Sequence, residues 1–189
     1  LFCFPISILS FINILYSSYF DYFLSIDSYF TTLIISLFLG IGLIFIGKEA
    51  EKKINFFEQI ILIILVYISI SILISLPFYL SNYQVTFINS LFESISGITG
   101  TGFSIFENIK YLDPTLIIWR SSSQWIGGLY FLFFLILIFS NKQFNYKMND
   151  LTFSGDGSIN SENNIKDLLL KIFIIFSLLS FLIFLLLNI

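Results

Sequence analysis

Residues 96–104 read Ser-Gly-Ile-Thr-Gly-Thr-Gly-Phe-Ser (SGITGTGFS) and sit between strongly apolar runs. Upstream, VTFINSLFESISG (85–97) places Phe87, Ile88, Leu91, Phe92 and Ile95 at helical spacing. That helix is too short to cross a bilayer, which takes roughly 20 residues. A half-length helix running straight into glycine-rich backbone predicts a hairpin that dips into the membrane and returns. Non-helical backbone is tolerated at that depth only where it is buried in protein or lines a water-filled cavity. Glycine takes positive φ without a Cβ penalty, so successive carbonyls can be turned the same way. Carbonyls of Thr99, Gly100, Thr101 and Gly102 so arranged would replace the water shell of an alkali cation. The negative end of the short helix would favour that cation. On periodicity alone the same residues suit an exterior glycine-containing loop equally well, because Gly-Thr-Gly by itself is a weak signal.

Composition supports the membrane setting. The 189 residues are 57% hydrophobic, 20% aromatic and only 11% charged, with mean hydropathy +0.95. Soluble domains carry about a quarter charged residues, so lipid is the main solvent here. A net charge of -3, a pI of about 4.8 and no basic cluster argue against a nucleic-acid partner. Cys3 is the single cysteine and histidine is absent. This removes an internal disulfide, a cysteine-cluster metal site and the usual general base, so no enzyme is expected and no cofactor.

Five stretches are long and apolar enough to be read as spans: 1–20, 29–47, 56–80, 115–140 and 165–189. The loops at 48–59 and 141–167 hold Lys48, Lys52, Lys53, Lys142, Lys147 and Lys166, whereas 21–28 carries Asp21 and Asp27 and no basic residue, and 81–114 only Lys110. The positive-inside rule then places the N-terminus and the lysine-bearing loops in the cytoplasm, and 21–28 and 81–114 outside. SGDGSINSENN (154–164) lacks the alternating acidic ligands of a calcium loop and reads as a linker. No basic n-region precedes the opening apolar stretch, so no signal peptide is expected. The chain opens on Leu1 and stops at Ile189 inside an apolar run, so both ends are expected to be incomplete.

In order along the chain stand Leu76-Pro77-Phe78, Phe92-Glu93, SGITGTGFS, Trp119-Arg120-Ser121 and Gln124-Trp125-Ile126-Gly127-Gly128. This series resembles the Trk/Ktr/HKT superfamily of potassium transporters, specifically the Trk-type membrane subunit. The resemblance implies an all-α integral membrane fold. A leading transmembrane helix pair (1–47) would precede a potassium-channel-like span–pore helix–span repeat (56–140), with pore helix 85–97 and a re-entrant filter at 98–103. A cytoplasmic linker (141–164) and the first span of a second repeat (165–189) would follow. It implies uptake of K+ across the plasma (inner) membrane through a filter shared with the remaining repeats of the full-length chain, with the lipid bilayer as surroundings. A homodimer and a cytosolic nucleotide-binding gating subunit are further implications. Gly100 departs from the family, whose first repeat usually has threonine there and so leaves this quarter of the filter looser. Gly102 stands at the filter glycine, where serine accompanies sodium preference in plant relatives, and so points to potassium.

Glu93, Ser96 and Arg120 are assigned to support of the filter. A buried carboxylate at membrane depth is costly and normally paired. Glu93 either attracts cations or accepts from backbone donors around the filter, and the second is favoured. Arg120, about 7.5 Å into its span, either snorkels to the outer interface or pairs with Glu93. Ser121, Ser122, Ser123 and Gln124 suit helix packing or pore lining equally. Gly127 and Gly128 permit close helix approach or a bend, and Trp119 and Trp125 are candidate interfacial anchors. Two other functions fit a multi-span chain: a secondary transporter binding a small solute at a broken helix, and a membrane scaffold that transports nothing.

Overall fold

The structure is a computed structural model that describes residues 2–22, 26–48, 55–139 and 162–187, with the side chains of the last segment from residue 167 onward. Every regular element among them is helical: α1 (Phe4–Tyr19), α2 (Ile26–Gly47), α3 (Phe56–Tyr79), α4 (Phe87–Ile98), α5 (Pro114–Phe139) and α6 (Glu162–Leu187). One turn of 3-10 helix lies at Ile109–Tyr111. Four of them, α2, α3, α5 and the Asp167–Leu187 part of α6, are long and apolar enough to cross a membrane. The lysine-bearing loops and the 154–164 linker fall almost wholly outside the described residues.

The expected first span, 1–20, is α1, whose 16 residues reach about 24 Å at helical rise, short of a hydrocarbon core of about 30 Å. Local chemistry sets both ends. Pro5 stands in the first turn, where its missing N–H costs nothing. At the other end Asp21 takes the left-handed conformation, φ 56°, and the Tyr22 N–H returns to the Ser17 carbonyl at 2.9 Å. That is the bond of a Schellman stop, with aspartate in the place usually held by glycine.

The chain divides into two compact units: Leu1–Lys53 with Leu62–Gly128, and Ile54–Ile61 with Leu129–Ile189. In the first unit α1 and α2 form an antiparallel hairpin, with Cys3 and the Phe4 ring against Gly40. Most of the residues they bury are small or polar: Ser7, Ser10, Asn13 and Ser17 on α1, beside Ile6 and Ile14, and Ser28, Thr32, Ser36 and Gly40 on α2, beside Tyr29. Small side chains let membrane helices approach closely, because lipid offers no hydrophobic drive to bring them together. The hydroxyls of Ser7, Thr32 and Ser36 bond back to carbonyls of their own helix at 2.7–3.0 Å. The outward faces are apolar, with Ile34, Phe38, Phe45 and Ile46 exposed on α2 and Ile64, Leu65 and Ile68 on α3.

Three side chains tie α2, α3 and α5 together. Trp119, fully buried rather than interfacial, donates its indole N–H to the Ile74 carbonyl at 3.0 Å. Tyr29 packs against the Trp119 ring at 5.7 Å, and its hydroxyl bonds Thr115 Oγ1 at 3.1 Å. The starts of α2 and α5 and the end of α3 therefore share one side. Asp113 caps α5: its carboxylate accepts the Thr115 N–H at 3.0 Å ahead of Pro114, while its own N–H donates to the Tyr83 hydroxyl at 2.7 Å.

In the second unit Gln59 of α3 donates to the Leu137 carbonyl of α5 at 2.8 Å, a polar brace between two otherwise apolar helix segments. The apolar residues of α6 are exposed all round, Leu170, Ile174, Leu178, Phe181 and Leu185 among them. A helix apolar on every side belongs inside a bilayer or a bundle. Replacing Trp119 with Phe removes one buried hydrogen bond and little volume. It is expected to cost about 1 kcal/mol, read as a lowered unfolding midpoint of the detergent-solubilised full-length protein.

Candidate functional site

Helix α4 is 12 residues long, about 18 Å at helical rise, or half a crossing. Thr86 caps its start, accepting the Asn89 N–H at 3.4 Å. The helix faces the reverse of a soluble one. Ser90, Glu93, Ser94, Ser96 and Gly97 are buried, while Phe87, Ile88, Phe92 and Ile95 are exposed.

The end of α4 lies against α5 with no side chain between them. A Cβ on Gly127 would stand 2.6 Å from the Ile98 carbonyl carbon, and one on Gly97 2.5 Å from the Ser123 hydroxyl. Ser123 is buried, its hydroxyl bonded to the Arg120 carbonyl at 2.7 Å, so this member of the serine run serves packing.

Gly100 stops the helix. It is left-handed at φ 71°, and its N–H returns to Gly97 O at 3.0 Å. Gly100 thus occupies the position where glycine ends helices at least cost. Gly102, at φ 78°, turns the chain again, and its N–H points to Ser96 O at 3.4 Å. Hydroxyls clip the loop beneath: Thr99 Oγ1 to Ile95 O at 2.6 Å, Thr101 Oγ1 to Ser96 Oγ at 3.2 Å, and Ser96 Oγ to Phe103 O at 2.6 Å. Thr99 through Phe103 are exposed, and among the described residues the carbonyl oxygens of Thr99, Gly100 and Thr101 accept no hydrogen bond. Three consecutive free carbonyls therefore stand at the C-terminal end of a half-length helix.

Behind them Glu93 is fully buried. It accepts from Arg120 Nε at 2.5 Å, from the Ser104 hydroxyl at 3.0 Å and from the Ile105 N–H at 3.0 Å. Arg120 is 9% exposed, so it does not snorkel. Its Nη2 donates to both Gly102 O and Phe103 O at 3.1 Å. One ion pair thus joins α4, α5 and the outer limb of the loop. The structure brings together Glu93, Ser96, Arg120 and Thr99–Gly102, all expected from the sequence. For Ser123 and Gly127 it selects helix packing and close helix approach from the alternatives open in the sequence. It adds Ser104 and the Asp113 cap, the latter with a local signal of aspartate before proline at the head of an apolar run.

Removing one partner of a buried charge pair leaves the other uncompensated. Glu93→Gln or Arg120→Met is therefore expected to cost about 3–5 kcal/mol. Glu93→Gln with Arg120→Met should recover part of that loss, measured by unfolding of the full-length protein in detergent. Gly127→Ala pushes against backbone and is expected to cost about 1–3 kcal/mol in the same assay.

Comparison with known proteins agrees with this architecture. The profile of the family TrkH, cation transport protein, matches residues 25–189. The Trk system potassium uptake protein TrkG of Escherichia coli is 30% identical over 106 residues, 56% of this chain and 22% of that protein. TrkI of Halomonas elongata, also a Trk system potassium uptake protein, is 39% identical over 72 residues, 38% of this chain and 15% of that protein. An uncharacterized cation transporter of Methanocaldococcus jannaschii is 28% identical over 103 residues, 54% of this chain and 22% of that protein. The matched stretches span about a fifth of these relatives or less. No solved structure matches.

Proposed function

Because the chain belongs to the TrkH family of cation transport proteins, we propose that it forms part of a pore through which K+ enters the cell. Members of this family are transporters and not enzymes. K+ here is cargo rather than a resident cofactor. The observation that carries the reading is the row of unbonded carbonyls on the exposed residues Thr99, Gly100 and Thr101, continued by Gly102 and set at the end of α4. An entering ion sheds water only where fixed oxygens replace it. Main-chain oxygens turned by two positive-φ glycines do so without a mobile side chain. The C-terminal dipole of α4 adds negative potential at the same place. Ser96, Glu93 and Arg120 hold the loop in that conformation.

In this proposal residues 1–47 are a leading helix pair and 56–140 the first span–pore helix–span repeat. Residues 141–164 are a cytoplasmic linker and 165–189 open a second repeat. Further repeats of the full-length chain supply the other sides of the filter. The lysine-rich loops face the cytoplasm of a plasma (inner) membrane, and a homodimer gated by a cytosolic nucleotide-binding subunit completes the assembly.

The test is rescue of a potassium-uptake-deficient bacterium by the full-length gene, with any gating partner supplied. Growth at low K+ is expected. Gly102→Ser is expected to lower the ratio of K+ to Na+ uptake about tenfold, corresponding to about 1.4 kcal/mol in relative barrier. A well-inserted protein that neither rescues growth nor alters flux on this substitution would favour the scaffold reading.

A further inference from the structure

The pore reading treats four carbonyls of this repeat alike, but their surroundings differ. Those of Thr99, Gly100 and Thr101 accept nothing, whereas Gly102 O takes an N–H of Arg120 Nη2 at 3.1 Å. The next oxygen, Phe103 O, accepts from Arg120 Nη2 at 3.1 Å and from Ser96 Oγ at 2.6 Å, so both its lone pairs are in use. Arg120 cannot swing away, because its Nε is paired with the fully buried Glu93 and the side chain is itself buried. Nor can it lose its charge in a protein.

We infer that Arg120 is a specificity-determining residue that ends the cation-binding row of this repeat at Thr101, so that Gly102 shapes the backbone and its oxygen does not bind the ion. The inference rests on the pore reading and refines it. A carbonyl oxygen has a second lone pair, and sterically a cation could share Gly102 O with the guanidinium. Electrostatics oppose this. A cation on that oxygen would stand within a few ångströms of a fixed positive group, and Glu93, which balances that group, has its oxygens spent on Arg120, Ser104 and Ile105. The repulsion is strongest where water is excluded. Around a pore of several repeats, this side would offer three oxygens in its own register and leave the outer part of the filter open on one side. A more hydrated ion would then be admitted at the outer end before the full set of oxygens closes on it.

The experiment is a structure of the full-length protein with Rb+ as the ion, located by its anomalous scattering, for wild type and for the double variant Glu93→Gln with Arg120→Met. The double variant removes both the fixed positive charge and the N–H donor from Gly102 O while leaving no buried charge unpaired. Wild type is expected to show Rb+ against the Thr99, Gly100 and Thr101 oxygens and none against Gly102 O, and the variant to gain density there. Rb+ bound to Gly102 O in the wild type would overturn the inference and leave the pore reading intact. Absence of Rb+ from all four oxygens in a well-ordered wild-type loop would overturn both. If the variant does not insert, wild-type protein carrying a 13C label at the Gly100 or the Gly102 carbonyl decides the matter by infrared spectroscopy. Exchange of Na+ for K+ should shift the Gly100 band and leave the Gly102 band in place, and a Gly102 shift of equal size would overturn the inference.

Discussion

A carboxylate and a guanidinium have been buried away from water, and almost everything about the loop at 99–105 follows from how that cost is met. Glu93 and Arg120 neutralise each other, yet neither stops at its partner. Glu93 also holds Ser104 and the Ile105 N–H, and Arg120 also holds the Gly102 and Phe103 carbonyls. Buried ion pairs contribute little net stability unless their remaining donors and acceptors are satisfied. Here the partners that satisfy them are three backbone groups and one serine hydroxyl of a segment with no regular secondary structure. The pair converts four residues of loop into a fixed object, mounted on two helices.

Close backbone approach is the second constraint. The end of α4 meets α5 at Gly127 with no room for a methyl group, and Gly97 meets Ser123 in the same way. Without these two glycines the helix end would stand off, and Glu93 could not reach Arg120 in the observed geometry. Gly100 and Gly102 act differently. A Cβ on either would meet nothing within 4 Å, so glycine is required there by its positive φ and not by crowding. Two glycines thus serve packing and two serve backbone direction.

Lipid as solvent inverts the usual sorting of side chains. Hydroxyls and small residues line the α1–α2 contact and the inner face of α4, while phenylalanine, isoleucine and leucine face outward. The hydroxyls of Ser7, Thr32, Ser36 and Ser94 satisfy themselves on the preceding turn of their own helix.

Much of this was legible in the residues alone. Apolar runs longer than a bilayer core marked α2, α3, α5 and α6, because a crossing helix must satisfy its backbone internally over a known length. The short run before SGITGTGFS marked α4 for the opposite reason, and the glycines marked where the helix had to end. Sequence also named Glu93 as a residue needing a partner, since an ionisable group at membrane depth is costly. It could not choose between a snorkelling Arg120 and a paired one, nor tell that Trp119 is buried on Ile74, nor that Gly127 faces Ile98. Those facts depend on the rotation of α5 about its own axis and its distance from α3 and α4. Such quantities are set by many contacts at once and are written in no single stretch of chain. Periodicity and length decided which segments enter the membrane, and only packing decided which oxygens they leave free.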